Sequence, residues 1–156
     1  MHGLIHGIHK NTMNHHVSFK DAKKQKFVEG LVIILKDELR LNKSKFFLTV
    51  RSENGLIRHE GMSGLVGLNP TNFKHIILLL DPNVDDGSLI STLCHEMMHV
   101  KQYALGQTSV RYTRKGKPVR VWRGREVKAC YWDQPWEQDA WRREKILASR
   151  ILKIVN

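Results

Sequence analysis

Two histidines stand four residues apart at His95 and His99, with Glu96 directly after the first. Residues at this spacing on an α-helix lie about 40° apart around its axis, so both imidazoles can reach one ion. The apolar side chains of the segment fall on the opposite side of such a helix: Ile90, Leu93, Met97, Val100 and Ala104. The pattern therefore predicts a helix with one face in the core and the histidines beside a cleft.

The pattern has a direct chemical meaning. Zinc accepts neutral imidazole nitrogens, and a catalytic zinc site takes three protein ligands and leaves one position for water. Glu96, beside the first ligand, can take a proton from that water. We predict a Zn²⁺ site with His95 and His99 as ligands and Glu96 as the catalytic base. The alternative is a chance pair of histidines on a solvated helix face.

The third ligand is expected to be a carboxylate, because no histidine follows His99 and the metzincin pattern is thereby excluded. The acidic residues downstream are Glu126, Asp133, Glu137, Asp139 and Glu144. Glu137 projects into the apolar face of the last predicted helix, where a charged carboxylate is costly unless it is paired or binds a metal. We predict Glu137 as the ligand. Glu144, one heptad further along that face, and Glu126 and Asp133, in predicted loops, remain alternatives.

The remaining periodicity predicts a small α+β fold. A first helix is expected at about 19–41, with Ser18 and Asp21 resembling a capping box. Alternating residues from Phe46 predict a strand that ends near Asn54-Gly55. The segment 75–80, which contains the apolar run 76–80, predicts a strand buried on both faces.

The second half of the chain is expected to be more helical. N-cap residues and Gly106 place the motif helix at 87–105. A basic hairpin is predicted at 110–122, and a last helix from Pro135 to about Val155. The expected fold is a small antiparallel or mixed sheet packed on the motif helix, with an N-terminal and a C-terminal helix.

Three further expectations concern the N-terminal segment, the number of domains and the state of the cysteines. Residues 1–17 contain five histidines and are expected to form a flexible tail, because glycines weaken any helix there; metal binding by this tract is the alternative. Residues 18–156 are expected to form a single domain. We expect Cys94 and Cys130 to be reduced and buried.

The net charge of +11 is the compositional outlier. Lysines and arginines cluster in 20–26, 111–128 and 142–145. Such a surface attracts polyanions, including non-specific nucleic acid and anionic cell-wall polymers; a solvated, solubilising surface is the alternative. No apolar run reaches the roughly 18 residues of a membrane span, and no secretory signal is recognisable, so no membrane association and a cytoplasmic location are expected.

The motif segment 93–100 and the segment 131–141, which includes Pro135, Trp136 and Glu137, together resemble small metallopeptidases of bacteriophages and bacteria. The resemblance covers about residues 45–141 and implies a zincin-like fold of gluzincin character, in which a later helix supplies a glutamate ligand. The order of elements is also similar to SprT-like proteases, although those carry a later histidine ligand. The resemblance to these metallopeptidases further implies that the strand at 76–80 borders the cleft and that Tyr131 stabilises an oxyanion.

The expected function is hydrolysis of peptide bonds in a protein or peptide substrate by a zinc metallopeptidase. Two other readings stay open. One is a non-catalytic, basic, nucleic-acid-associated binding protein. The other is a phage cell-wall peptidase, which would act from a virion or after lysis. If the chain is phage-encoded, its expected location is the host cytoplasm or the virion.

Overall fold

The computed structural model describes residues 13–156 and shows an α+β fold. The α-helices among these residues are α1 (Ala22–Glu38), α2 (Leu56–Glu60), α3 (Asp86–Ala104) and α4 (Pro135–Val155). The strands are β1 (His15–Ser18), β2 (Phe47–Ser52), β3 (Gly64–Asn69), β4 (Asn72–Leu80), β5 (Thr108–Tyr112), β6 (Pro118–Trp122) and β7 (Arg125–Glu126). No helix in this part of the chain combines the length and apolar character needed to cross a bilayer.

The larger sheet has the order β1-β2-β4-β3 and is mixed, since β1, β2 and β4 run parallel while β3 runs antiparallel to β4. Strand β4 lies inside the sheet: Leu78 is in register with Val50 of β2 and with Val66 of β3. Both of its edges are thus used by neighbouring strands. The prediction that this strand forms the cleft edge is wrong, because β3 occupies that position.

One face of the sheet carries the core. Alternate residues of β2 and β4, among them Leu48 and Leu78, are completely buried and join one apolar cluster with Leu31 of α1 and Met97 of α3. Burial of such side chains stabilises the fold by about 1.5–3 kcal/mol each. The motif helix is therefore anchored to the sheet through its apolar face, as its periodicity predicts.

The N-terminal region differs from the expectation. Residues 1–12 lie outside the described part, but Met13 is fully buried and His15–Ser18 form β1, which pairs with β2. The prediction of a flexible tail is therefore wrong for residues 13–17. Ser18 ends that strand, and it is Asp21 that caps α1 by accepting from the backbone N–H of Lys24.

The second half of the chain follows the expectation more closely. Helix α3 begins after its N-cap Asp85, and α4 begins at Pro135 as predicted. Strands β5, β6 and β7 form a separate antiparallel sheet that contains the predicted basic hairpin. Both cysteines are free; Cys94 is buried, but Cys130 is exposed, so its predicted burial is wrong.

Candidate metal centre

Helices α3 and α4 bring His95, His99 and Glu137 together. Nε2 of His95 lies 3.1 Å from Oε2 of Glu137 and 3.2 Å from Nε2 of His99. Nε2 of His99 lies 3.2 Å from Oε1 of Glu137. Within residues 13–156, these three form a group of donor atoms that all lie within 4.8 Å of one another.

The donor spacing fits a single metal ion. Three ligands that each stand about 2.0–2.1 Å from a tetrahedral zinc are separated from one another by about 3.3 Å. The observed separations of 3.1–3.2 Å are close to that value. Two imidazoles and one carboxylate can therefore hold a metal ion here with little movement.

Glu144 contacts the other nitrogen of His95. Its Oε2 accepts from Nδ1 of His95 at 2.6 Å, which leaves Nε2 directed at Glu137. A carboxylate in this position fixes the orientation and tautomer of a ligating imidazole. The structure thus places Glu144 behind His95 and not beside the donor group.

Gln102 holds His99 in the same way, and the sequence reasoning missed it. Its Oε1 accepts from Nδ1 of His99 at 2.8 Å, while its Nε2 donates to the carbonyl of Trp136 at 2.9 Å and to Asp139 at 3.0 Å. Gln102 is fully buried. The sequence feature that could have indicated this role is the position of Gln102, a polar residue three positions after His99 and on the same helix face.

The remaining candidates lie away from the donor group. Glu126 in β7 is exposed, and its carboxylate lies 3.7 Å from the guanidinium of Arg111. Asp133 is exposed and accepts from Sγ of Cys130 at 3.1 Å. Neither belongs to the cluster that can hold a metal.

Glu96 lies beside the donor group with its carboxylate almost completely enclosed; the residue is 7% exposed. Burial raises the pKa of its carboxyl group to about 7, although the two nearby imidazoles act in the opposite direction. The backbone of Gly64 in β3 packs directly against its side chain. Strand β3 and helix α3 therefore hold Glu96 between them.

His95 and Glu137 shift each other's pKa values. Burial lowers the pKa of His95, but its hydrogen bond to Glu137 and the charge of Glu96 outweigh this and raise it to about 9. Burial also opposes ionisation of Glu137, yet hydrogen bonds from both imidazoles lower its pKa to about 2. Glu137 is consequently a carboxylate at neutral pH, which is the form that binds metals.

Glu96 lines two neighbouring cavities. A cavity of about 320 Å³ is lined by Ser91, Trp141 and Glu144. A second cavity, of about 160 Å³, is lined by His99, Glu137 and Arg120. The two cavities share five lining residues: Met62, Gly64, His95, Glu96 and Tyr131. Glu96, the candidate catalytic group, thus lines both cavities, which together form the candidate substrate groove.

The wall opposite α3 is the edge strand β3. Gly64, Leu65 and Val66 line the smaller cavity, and β3 is the last strand of its sheet among the described residues. An extended peptide can pair with a free strand edge through its backbone groups. The strand at 76–80, which the resemblance to metallopeptidases placed at the cleft, lies one position further inside the sheet.

Tyr131 borders both cavities, in a 3₁₀ turn just before α4. It is 42% exposed. Partial burial, together with the charges of Glu137 and Glu96, raises the pKa of its hydroxyl to about 12. The hydroxyl therefore stays protonated at neutral pH and can donate a hydrogen bond into the cleft.

Comparison with known proteins assigns no family to this chain. No protein-family model, curated protein or solved structure matches it. The resemblance of segments 93–100 and 131–141 to phage and bacterial metallopeptidases therefore stays a prediction.

Proposed function

We propose that this protein is a zinc-dependent peptidase of the zincin type, with His95, His99 and Glu137 as ligands and Glu96 as the general base. The observation that carries the proposal is the position of Glu96. Its enclosed carboxylate lies next to a His-His-Glu donor group and lines two cavities that share part of their walls. A bound zinc ion supplies Lewis acidity, which activates water and polarises a carbonyl group.

The chain's own residues then have distinct tasks. Glu96 accepts the proton of the attacking water and returns it to the leaving amine. Tyr131 donates a hydrogen bond to the oxygen on which negative charge develops. Glu144 and Gln102 keep the imidazoles of His95 and His99 in the orientation that binds the metal.

The number and type of donor residues favour a catalytic metal site over a structural one. Structural zinc sites are usually closed by four protein ligands, often cysteines. Here, within residues 13–156, the cluster offers three donor residues. Neither of the chain's two cysteines, the buried Cys94 and the exposed Cys130, belongs to that cluster. A three-residue donor set beside an enclosed carboxylate matches a catalytic arrangement better.

Metal analysis and a proteolysis assay test the proposal together. We expect about one zinc per chain, retained in Glu96→Gln and lost when His95→Ala and His99→Ala are combined. His2, His6 and His9 are changed to alanine in every sample, so that the histidine-rich tract adds no binding. Undiminished zinc in the double variant would contradict the assigned ligands.

The choice of substrate in the activity assay separates the alternatives. Casein, peptidoglycan and DNA-bound protein are each incubated with the zinc-loaded chain, with and without a chelator. Chelator-sensitive cleavage of peptidoglycan alone would favour the cell-wall peptidase. Absence of cleavage in all three, combined with nucleic-acid binding, would favour the non-catalytic binding protein.

A further inference from the structure

We infer that Arg120 binds a carboxylate of the peptide substrate, so that cleavage is directed to a bond near an acidic side chain or near a C-terminal carboxylate. This inference rests on the proposed peptidase function and names the substrate class of the same groove.

The guanidinium of Arg120 is held in place at the smaller cavity. Its Cζ atom lies 4.4 Å from the ring centre of Trp136 and 5.2 Å from that of Tyr103. Its Nε donates to Oγ1 of Thr108 at 2.7 Å. Stacking on aromatic rings and a hydrogen bond at Nε reduce the freedom of the planar group. Arg120 is thus a preorganised cation at the wall of the groove.

This cation has no carboxylate partner among residues 13–156: no carboxylate oxygen of the described chain lies within 4.0 Å of its guanidinium nitrogens. Glu137, a carboxylate that lines the same cavity, is already bonded to both imidazoles. Arg111, on the neighbouring strand of the same hairpin, does face a carboxylate, that of Glu126. A half-buried guanidinium without such a partner favours binding of a carboxylate from the ligand.

The position of Arg120 relates this contact to the cleaved bond. The smaller cavity contains Glu96 and His99 as well as Arg120, and Val66 of the edge strand lines it too. A peptide that pairs with β3 and presents its bond to Glu96 therefore extends past Arg120 on one side of that bond only. The preference is expected at a fixed position on that side.

The competing role for Arg120 is packing alone. Its contacts with Tyr103 of α3 and Trp136 of α4 also attach the basic hairpin to the helices that carry the donor group. A residue with this structural role would affect stability and would leave the choice of peptide unchanged. Substrate preference distinguishes the two roles.

The first part of the test reads the cleavage sites. A mixture of proteome-derived peptides is incubated with the zinc-loaded full-length protein, and the newly formed ends are identified by mass spectrometry against a Glu96→Gln background. We expect Asp, Glu or the free C-terminus at one position on one side of the cleaved bonds.

The second part uses matched synthetic peptides. One pair differs by Glu or Gln at the preferred position, and another by a free or amidated C-terminus, so that the two sources of the carboxylate are separated. For the wild type, loss of the preferred carboxylate should lower kcat/KM by about ten- to a hundredfold, because a charge-assisted pair is lost. In Arg120→Met both members of the pair should be cleaved alike, and Arg120→Lys should keep part of the difference.

Arg114→Met is the matched control, since it removes one positive charge from the same hairpin at an exposed position outside the cavity. It should keep the full preference. Circular dichroism and zinc content verify that Arg120→Met is folded, and Arg120→Lys carries the test if it is not. Cleavage without a carboxylate preference, or a preference unchanged by Arg120→Met, would overturn this inference alone. No cleavage above the Glu96→Gln background would overturn the proposed peptidase function, and this inference with it.

Discussion

Gly64 of β3 lies in direct contact with Glu96 of α3: a β-carbon on residue 64 would stand 2.7 Å from Cγ and 3.1 Å from Oε1 of Glu96. The side chain of Thr92 would be equally close, with its Cγ2 at 2.7 Å. The position therefore admits only glycine without a shift of the strand or of the glutamate. Gly64 is a positioning residue for the proposed base.

Replacement of Gly64 by alanine should lower activity without removing the metal. We expect Gly64→Ala to reduce kcat by about 10²-fold, because a displacement of about 1 Å at a reacting group has a cost of this order. Zinc content should stay near one per chain, since the contact is with Glu96 and not with the donor group. Steady-state kinetics and metal analysis measure the two quantities separately.

Gly67→Ala provides the matched control for this variant. Gly67 belongs to the same strand, and an added β-carbon would meet nothing within 4 Å. It should therefore keep kcat near the wild-type value. Equal losses in both variants would indicate a general effect on β3 instead of a specific contact with Glu96.

Glu96→Gln should bind zinc normally and lose activity. The amide preserves the size of the side chain, but it cannot accept the proton of water. Removal of a general base typically costs about 10²- to 10⁴-fold in rate. A variant that cleaves a verified substrate at the wild-type rate would show that Glu96 is not the base.

Glu144→Ala and Gln102→Leu should each weaken zinc binding about 10- to 100-fold, because each removes the hydrogen bond that orients one ligating imidazole. The stoichiometry at saturating zinc should remain one. Glu137→Ala should have a larger effect, since it removes a donor. Competition with a chromophoric chelator measures these affinities.

Asp133→Ala is the control for this series, because Asp133 is exposed and lies outside the donor group. Its zinc affinity should equal that of the wild type. A larger loss in Glu144→Ala than in Glu137→Ala would exchange the roles assigned to the two glutamates.

The basic hairpin should bind nucleic acid weakly, in a salt-sensitive and sequence-independent way. Arg114, Lys115 and Lys117 are exposed at its turn. Contacts with phosphates release counterions, so the affinity should fall steeply with salt. Titration with single- and double-stranded DNA at low and moderate salt measures this. Charge reversal at the three positions should weaken the binding; no binding at low salt would leave the charge as a solubility feature.

Local patterns were sufficient to predict the two helices that carry the candidate metal site. The motif helix was predicted at 87–105 and is observed at Asp86–Ala104; the last helix begins at Pro135 as predicted. Their caps and periodic apolar faces are local signals that neighbouring residues of the chain provide. The prediction of Glu137 from an apolar helix face agrees with its place in the donor group.

The order of the strands in the sheet could not be predicted from such local signals. The run 76–80 is apolar throughout, which indicates burial but not which strands lie beside it, and β3 supplies the edge instead. The segment that forms β3 contains Gly64 and Gly67, and glycines weaken the strand pattern. Strand β1, with His15 and His16, was missed for a similar reason, since paired histidines do not resemble a strand.

The sequence by itself determined the two helices, the histidine pair and the carboxylates available to it, because helical spacing and residue chemistry are local properties. Only the tertiary structure decided that Glu137 joins the histidines while Glu144 stands behind one of them, that Gln102 supports the other, and that Gly64 and Arg120 border the groove. These relations join residues far apart in the chain. They depend on how the helices and strands pack, and a single sequence carries no direct record of that packing.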